Sequence, residues 1–172
     1  MINMQKYSNI SETAILNAEN VKKEMQEKGE YISLTRGVSM RPMLRNHKDV
    51  VVIVPITEPY KKYDVLLYAR ADKDDLVLHR VLKIRENDFV IRGDNTFSYE
   101  YIPKENVVGI LKAFYRNGKY INCETNKGYK FYSVIITKIN FLAWLWNANI
   151  SPFLGRTRRF VFKILKINLK SK

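Results

Sequence analysis

Apolar residues recur at near-helical spacing over residues 11–28, at Ile15, Ala18, Val21 and Met25, with a Glu- and Lys-rich opposite face. Ser11 or Asn9 can cap this segment and Gly29 follows as a stop, so the pattern predicts a helix with one buried stripe. From Tyr31 the period changes. Tyr31–Leu34 predicts a short strand that leads into a turn at Gly37–Pro42, and Val50–Val54, closed by Pro55, predicts a buried strand. Asp64–Tyr68 predicts another, followed by a polar turn at Ala71–Asp75. Leu76–Ile84 and Phe89–Arg92 predict a hairpin about the turn Arg85–Asp88, and Gly93-Asp94-Asn95 then breaks the chain. Val107–Tyr115 and Lys119–Asn122 form a last expected hairpin around Asn117-Gly118, a strong turn signal. Short strands at this spacing predict a mainly β fold, an antiparallel barrel or coiled sheet.

Residues 129–169 have a different character. Tyr129–Trp146 is rich in apolar residues, Asn147 to Pro152 interrupts it, and Arg156–Lys170 mixes apolar and basic positions. The expected organisation is an N-terminal helix over 1–30, a β domain over 31–123, and a basic, apolar helical region over 124–172.

Charge sharpens this division. Residues 1–110 hold 17 Lys+Arg against 16 Asp+Glu, whereas residues 111–172 hold 13 against one, Glu124. The basic character therefore belongs to the C-terminal third and implies an acidic partner there. An anionic membrane surface reached through residues 131–172 is one expectation, and a helical cap packed on the β domain with its lysines solvated is the alternative. Lys138, Asn140, Asn147 and Asn149 interrupt the apolar run, which favours an interfacial helix over a span. Nucleic acid is not expected, because no known binding module is visible. No cleavable signal peptide is visible, and the expected location is cytoplasmic or peripheral at the membrane. The single cysteine, Cys123, has no partner for an internal disulfide and reads as a packing residue. His47 reads as a solvated loop residue. No His/Cys/Asp cluster has metal-ligand spacing, so neither a metal nor another cofactor is expected.

Three short segments carry candidate chemistry. In Gly37-Val38-Ser39-Met40-Arg41-Pro42 a glycine precedes a serine by two positions and a proline follows it by three. The glycine permits a sharp turn and the proline fixes the chain beyond the hydroxyl. A serine hydroxyl needs a base within hydrogen-bond reach to act as a nucleophile. Val77-Leu78-His79-Arg80-Val81 offers that base on an apolar strand, and Ile91-Arg92-Gly93-Asp94-Asn95 offers a carboxylate in a turn.

Taken together over residues 33–112, the Ser-Met-x-Pro box, the Asp-Val-Val and Asp-Val-Leu strand starts (Asp49–Val51, Asp64–Leu66), His79-Arg80-Val81 and Gly93-Asp94-Asn95 resemble the signal peptidase superfamily. That superfamily includes the self-cleaving LexA-like repressors. His79 followed by Arg80 resembles its histidine branch, found in endoplasmic-reticulum, archaeal and SipW-like signal peptidases. The resemblance implies a coiled antiparallel β-barrel and a serine endopeptidase that cleaves leader or signal segments from precursor peptides. It implies Ser39 as nucleophile and His79 as general base. Asp94 is the first choice for the supporting acid and Glu100 the alternative. Gly37, Met40, Pro42, Arg80 and Asn95 are expected around the substrate or the oxyanion. Two features depart from the family. Gly37 stands where signal peptidases carry a serine hydroxyl, so the oxyanion would rely on backbone N–H groups, and the usual N-terminal membrane anchor is not seen. A LexA-like self-cleaving regulator and a non-catalytic binding module on the same fold are the alternatives.

Overall fold

A computed structural model describes residues 11–56, 59–70 and 74–149, with side chains as far as Ile139. The expected helical reading of Arg156–Lys170 lies outside these residues. The first element, α1 (Glu12–Lys28), is capped by Ser11, whose hydroxyl accepts from the Ala14 N–H at 3.1 Å. It ends at Gly29 in the left-handed conformation, φ 79°, with the Gly29 N–H donating to the Met25 carbonyl. Ala14, Ala18, Val21 and Met25 form the buried stripe.

Eight strands follow in one antiparallel sheet: β1 (Tyr31–Leu34), β2 (Val50–Val54), β3 (Val65–Ala69), β4 (Leu76–Ile84), β5 (Asp88–Arg92), β6 (Glu100–Pro103), β7 (Val107–Arg116) and β8 (Lys119–Asn122). Their spatial order is β1-β2-β7-β3-β4-β5-β6, with β8 also on β7. Among the described residues the sheet is open, ending at β1 on one side and β6 on the other, so the antiparallel expectation holds and the closed barrel does not. Sequence reading missed β6. The other strands fall within a residue of their expected limits. Asn117 and Gly118, φ 51° and 74°, make the β7–β8 turn.

Strand alternation divides the apolar residues between two faces. On one, Leu66, Tyr68, Val81, Phe89, Ile91, Ile102 and Val107 cluster. On the other, Val51, Ile53, Val65, Leu67, Leu111 and Phe114 pack with α1 and with Met40, Met43 and Leu44 of the loop after β1. Residues as far as Ile136 form one compact unit, and those from Thr137 a second. The last helix, α2 (Lys127–Asn149), opens with Asn126, whose side chain accepts from the Tyr129 N–H at 2.8 Å. Among the described residues no helix is long and apolar enough to cross a membrane.

The packing of α1 on the sheet depends on Gly109. A Cβ there would lie 2.6 Å from Ile53 Cγ2, 2.9 Å from the Val54 carbonyl oxygen and 3.3 Å from the Met25 sulfur. Gly109→Ala therefore has to push backbone apart, and urea unfolding should show a loss of about 1–3 kcal/mol. A neutral or stabilising result would contradict this close approach.

Candidate active site

The loop carrying Ser39 is held in place from several sides. Gly37 takes φ 83°, and its N–H donates to Asn46 Oδ1 at 2.8 Å. Met40, Met43 and Leu44 then sink into the core and staple the loop to the sheet. Asp49 is fully buried and accepts from the Arg45 backbone N–H at 2.7 Å and from its guanidinium at 2.6 Å. Burial pushes the Asp49 carboxyl up, but the Arg45 bonds outweigh this and hold it below its ordinary range. Arg116 of β7 donates to the carbonyls of Pro42 and Met43 at 2.8 and 3.1 Å, beyond a cis Arg41-Pro42 bond.

The Gly93-Asp94-Asn95 turn closes over this loop. The Asn95 N–H donates to the Ser39 carbonyl at 2.7 Å, and Asn95 Nδ2 donates to the Val38 carbonyl at 3.2 Å. Gly93 is buried between the loop and β4. A Cβ on it would lie 2.6 Å from the Ser39 carbonyl oxygen and 3.0 Å from His79 Nε2. Those two atoms are therefore at most 5.6 Å apart, the sum of the two distances. No direct hydrogen bond joins Ser39 to His79 among the described residues. Such bonds are often long or absent until substrate is bound.

On its other side, His79 Nδ1 lies 3.2 Å from Glu100 Oε1 and 3.0 Å from the Tyr68 hydroxyl. Register explains this grouping. His79 faces Leu66 across β3–β4, Val81 faces Ile91 across β4–β5, and Ile91 faces Glu100 across β5–β6. Alternation then puts Tyr68, His79 and Glu100 on one face. Tyr68 also donates to Glu100 Oε2 at 2.7 Å, and Arg70 donates to Oε1 at 3.2 Å. Burial works against ionising Glu100. The hydrogen bonds from His79 and Tyr68 and the charges of His79 and Arg70 prevail, and the carboxyl falls to about 2.

Asp94, the first choice for the supporting acid, faces elsewhere. It forms a two-pronged pair with Arg80, Nε to Oδ1 and Nη2 to Oδ2 both at 2.8 Å, and accepts from the Tyr132 hydroxyl at 3.0 Å. Arg80 was expected near substrate, yet it is 1% exposed and lies on the face opposite its neighbour His79. Its remaining donors reach the Tyr63 carbonyl, the hydroxyls of Tyr129 and Ser133, and the Met43 sulfur. Arg80 thus ties the first turns of α2 to the sheet. Met40, also expected near substrate, points into the core.

Of the remaining candidates, Gly37, Pro42 and Asn95 lie on the exposed side of the loop and turn. His47 is exposed, at φ 55°. Cys123 packs beside the core, and burial pushes its thiol up to about 12, so no thiolate is available near neutrality. Sequence reading did not single out Tyr68 or Arg70. Strand periodicity puts Tyr68 on the same face as Leu66, and the β3–β4 register, which pairs Leu66 with His79, makes Tyr68 its diagonal neighbour.

Two outcomes follow from these networks. Asp94→Ala would leave Arg80 charged, buried and unpaired, and should cost about 3–5 kcal/mol in urea unfolding; a loss below about 1 kcal/mol would contradict a structural role. Glu100 is depressed from an ordinary 4.5 to about 2 in the folded chain. The stability it contributes is therefore complete above pH 4.5 and is lost as pH falls toward 2. Acid titration of unfolding free energy should be flatter over that window for Glu100→Gln than for the wild type. Parallel curves would show that the depression is absent.

No protein-family model matches the chain, and no curated protein matches it in sequence.

Proposed function

We propose that the chain is a serine endopeptidase that cleaves leader or signal segments from precursor peptides, with Ser39 as nucleophile, His79 as base and Glu100 as the acid behind it. One observation carries this reading. The backbone of Ser39 and Nε2 of His79 converge on the bare α-carbon of Gly93, while Nδ1 of the same ring rests against a carboxylate. This fits the logic of a serine triad, where a carboxylate orients the ring and stabilises the imidazolium. It also favours Glu100 over Asp94, whose carboxylate oxygens are taken up by Arg80 and Tyr132.

In the proposed reaction, Ser39 Oγ attacks the scissile carbonyl carbon and its proton passes to His79 Nε2. The C–N bond then breaks, and His79 returns that proton to the leaving amine. A water molecule, deprotonated by the same nitrogen, hydrolyses the acyl-enzyme and restores Ser39. Glu100 stays ionised throughout and faces the transient imidazolium. Backbone N–H groups would have to stabilise the oxyanion, because Gly37 offers no hydroxyl.

Incubation with a library of synthetic leader-type peptides, read by mass spectrometry, tests this proposal. Ser39→Ala and His79→Ala should each reduce cleavage by at least ~10³-fold, and Glu100→Gln by about 10²–10⁴-fold. Asp94→Asn, in whatever fraction folds, should retain far more activity per folded molecule than Glu100→Gln. Cleavage by Ser39→Ala at the wild-type rate rules the mechanism out.

A further inference from the structure

Tyr68 is fully buried, and its hydroxyl touches both members of the His79–Glu100 pair. The mechanism above makes no use of it. Its contacts, 3.0 Å to Nδ1 and 2.7 Å to Oε2, are shorter than the 3.2 Å between Nδ1 and Glu100 itself. Oε1 of Glu100 also accepts from Arg70 at 3.2 Å, so the direct His79–Glu100 contact is shared.

We propose that Tyr68 is a positioning residue whose hydroxyl, together with Glu100, sets which nitrogen of His79 carries the proton. Glu100 is an ionised carboxylate and can only accept. The single Tyr68 hydroxyl proton is therefore committed to Oε2, and the oxygen turns its lone pairs toward Nδ1. Both polar neighbours of Nδ1, the Tyr68 oxygen and Glu100 Oε1, are then acceptors. A lone pair on Nδ1 would oppose both of them, so the neutral ring carries its proton there. Nε2 is left with the lone pair, and Nε2 is the nitrogen on the side of Gly93 and Ser39. Tyr68 also fixes the carboxylate, whose three side-chain torsions give it more freedom than an aspartate has. The purpose of this device rests on the peptidase reading, but the tautomer it sets does not.

The chain has only two histidines, so imidazole nitrogen spectra can be assigned with one variant, His47→Gln. In ¹⁵N-histidine-labelled protein above the imidazole titration, the wild type should show a protonated Nδ1 and a lone-pair Nε2 at His79. Tyr68→Phe keeps the ring and removes only the hydroxyl. It should shift a measurable fraction of His79 to the Nε2-protonated form. It should also slow labelling of Ser39 by a fluorophosphonate about 10–100-fold, the scale of one hydrogen bond to a charged group. A wild-type His79 protonated on Nε2 overturns the proposal, and this measurement needs no variant to fold. A Tyr68→Phe ring still wholly Nδ1-protonated, with labelling within twofold of wild type, overturns it as well. Failure of the peptidase reading looks different: Ser39 stays unlabelled in the wild type while the His79 tautomer and its response to Tyr68→Phe remain as described.

Discussion

Arg80 brings a full positive charge to a position almost sealed from water, and the fold is arranged around making that tolerable. An isolated guanidinium there would cost several kcal/mol in lost hydration. Burial disfavours its charge, yet Asp94 more than compensates and raises its proton affinity above the ordinary value. Tyr63, Tyr129, Ser133 and Met43 take up the remaining donor directions. The rings of Tyr129 and Tyr132 also lie 5.6 and 5.7 Å from the guanidinium, within range of cation–π attraction. Through one side chain the sheet, the serine loop, the Gly-Asp-Asn turn and the start of α2 are joined.

Adjacent residues on a strand face opposite ways, and in β4 this rule separates two kinds of chemistry. Arg80 turns toward Met43 and the first turns of α2 and performs structural work. His79 turns toward Tyr68 and Glu100 and keeps one nitrogen near Ser39. A histidine followed by an arginine is therefore two adjoining sites with different partners. The two acids divide in the same way, Asp94 to the arginine and Glu100 to the histidine. Each carboxylate has its own partners: Arg80 for Asp94, and Arg70 with the His79 ring for Glu100.

Much of this was legible in the chain. The 3.6-residue spacing of α1, the apolar runs of β2 and β3, and the Asn117-Gly118 turn are local signals, and local signals fixed those elements to within a residue. Ser39 and His79 became candidates only because their segments, in order with Gly93-Asp94-Asn95, together resemble the signal peptidase superfamily; neither segment singles out its residue alone. Which acid faces His79 was not legible from local pattern, although Glu100 was the named alternative to Asp94. Asp94 lies in a conspicuous turn, whereas Glu100 reaches His79 only through the β5–β6 register, and β6 is four residues long and ends in proline. The role of Arg80 was hidden for a related reason. A charge in sequence suggests solvent or substrate, and its partners Tyr129, Tyr132 and Ser133 lie about fifty positions later. Met40 misled similarly, since a residue beside the serine can still belong to the core. Alternation alone would have set Arg80 and His79 on opposite faces; Tyr68 joins the side of His79 only through the β3–β4 register.

The turn after β5 is where the two sites meet. Its three residues act in three directions: Gly93 fits against the imidazole edge, Asp94 reaches into the core for Arg80, and Asn95 holds the Ser39 carbonyl. A side chain on Gly93 would have to displace backbone at Ser39. Loss of the carboxylate on Asp94 would release the turn from the core. The Arg80–Asp94 pair thus anchors the turn that lies between the Ser39 backbone and the His79 ring. Nucleophile–base geometry tolerates only fractions of an ångström before rates fall steeply. A site with exposed flanks can hold such tolerance only if a rigid element fixes it from behind. In this chain the buried arginine–aspartate pair ties that turn to the core, and the site proposed above rests on the core beneath it.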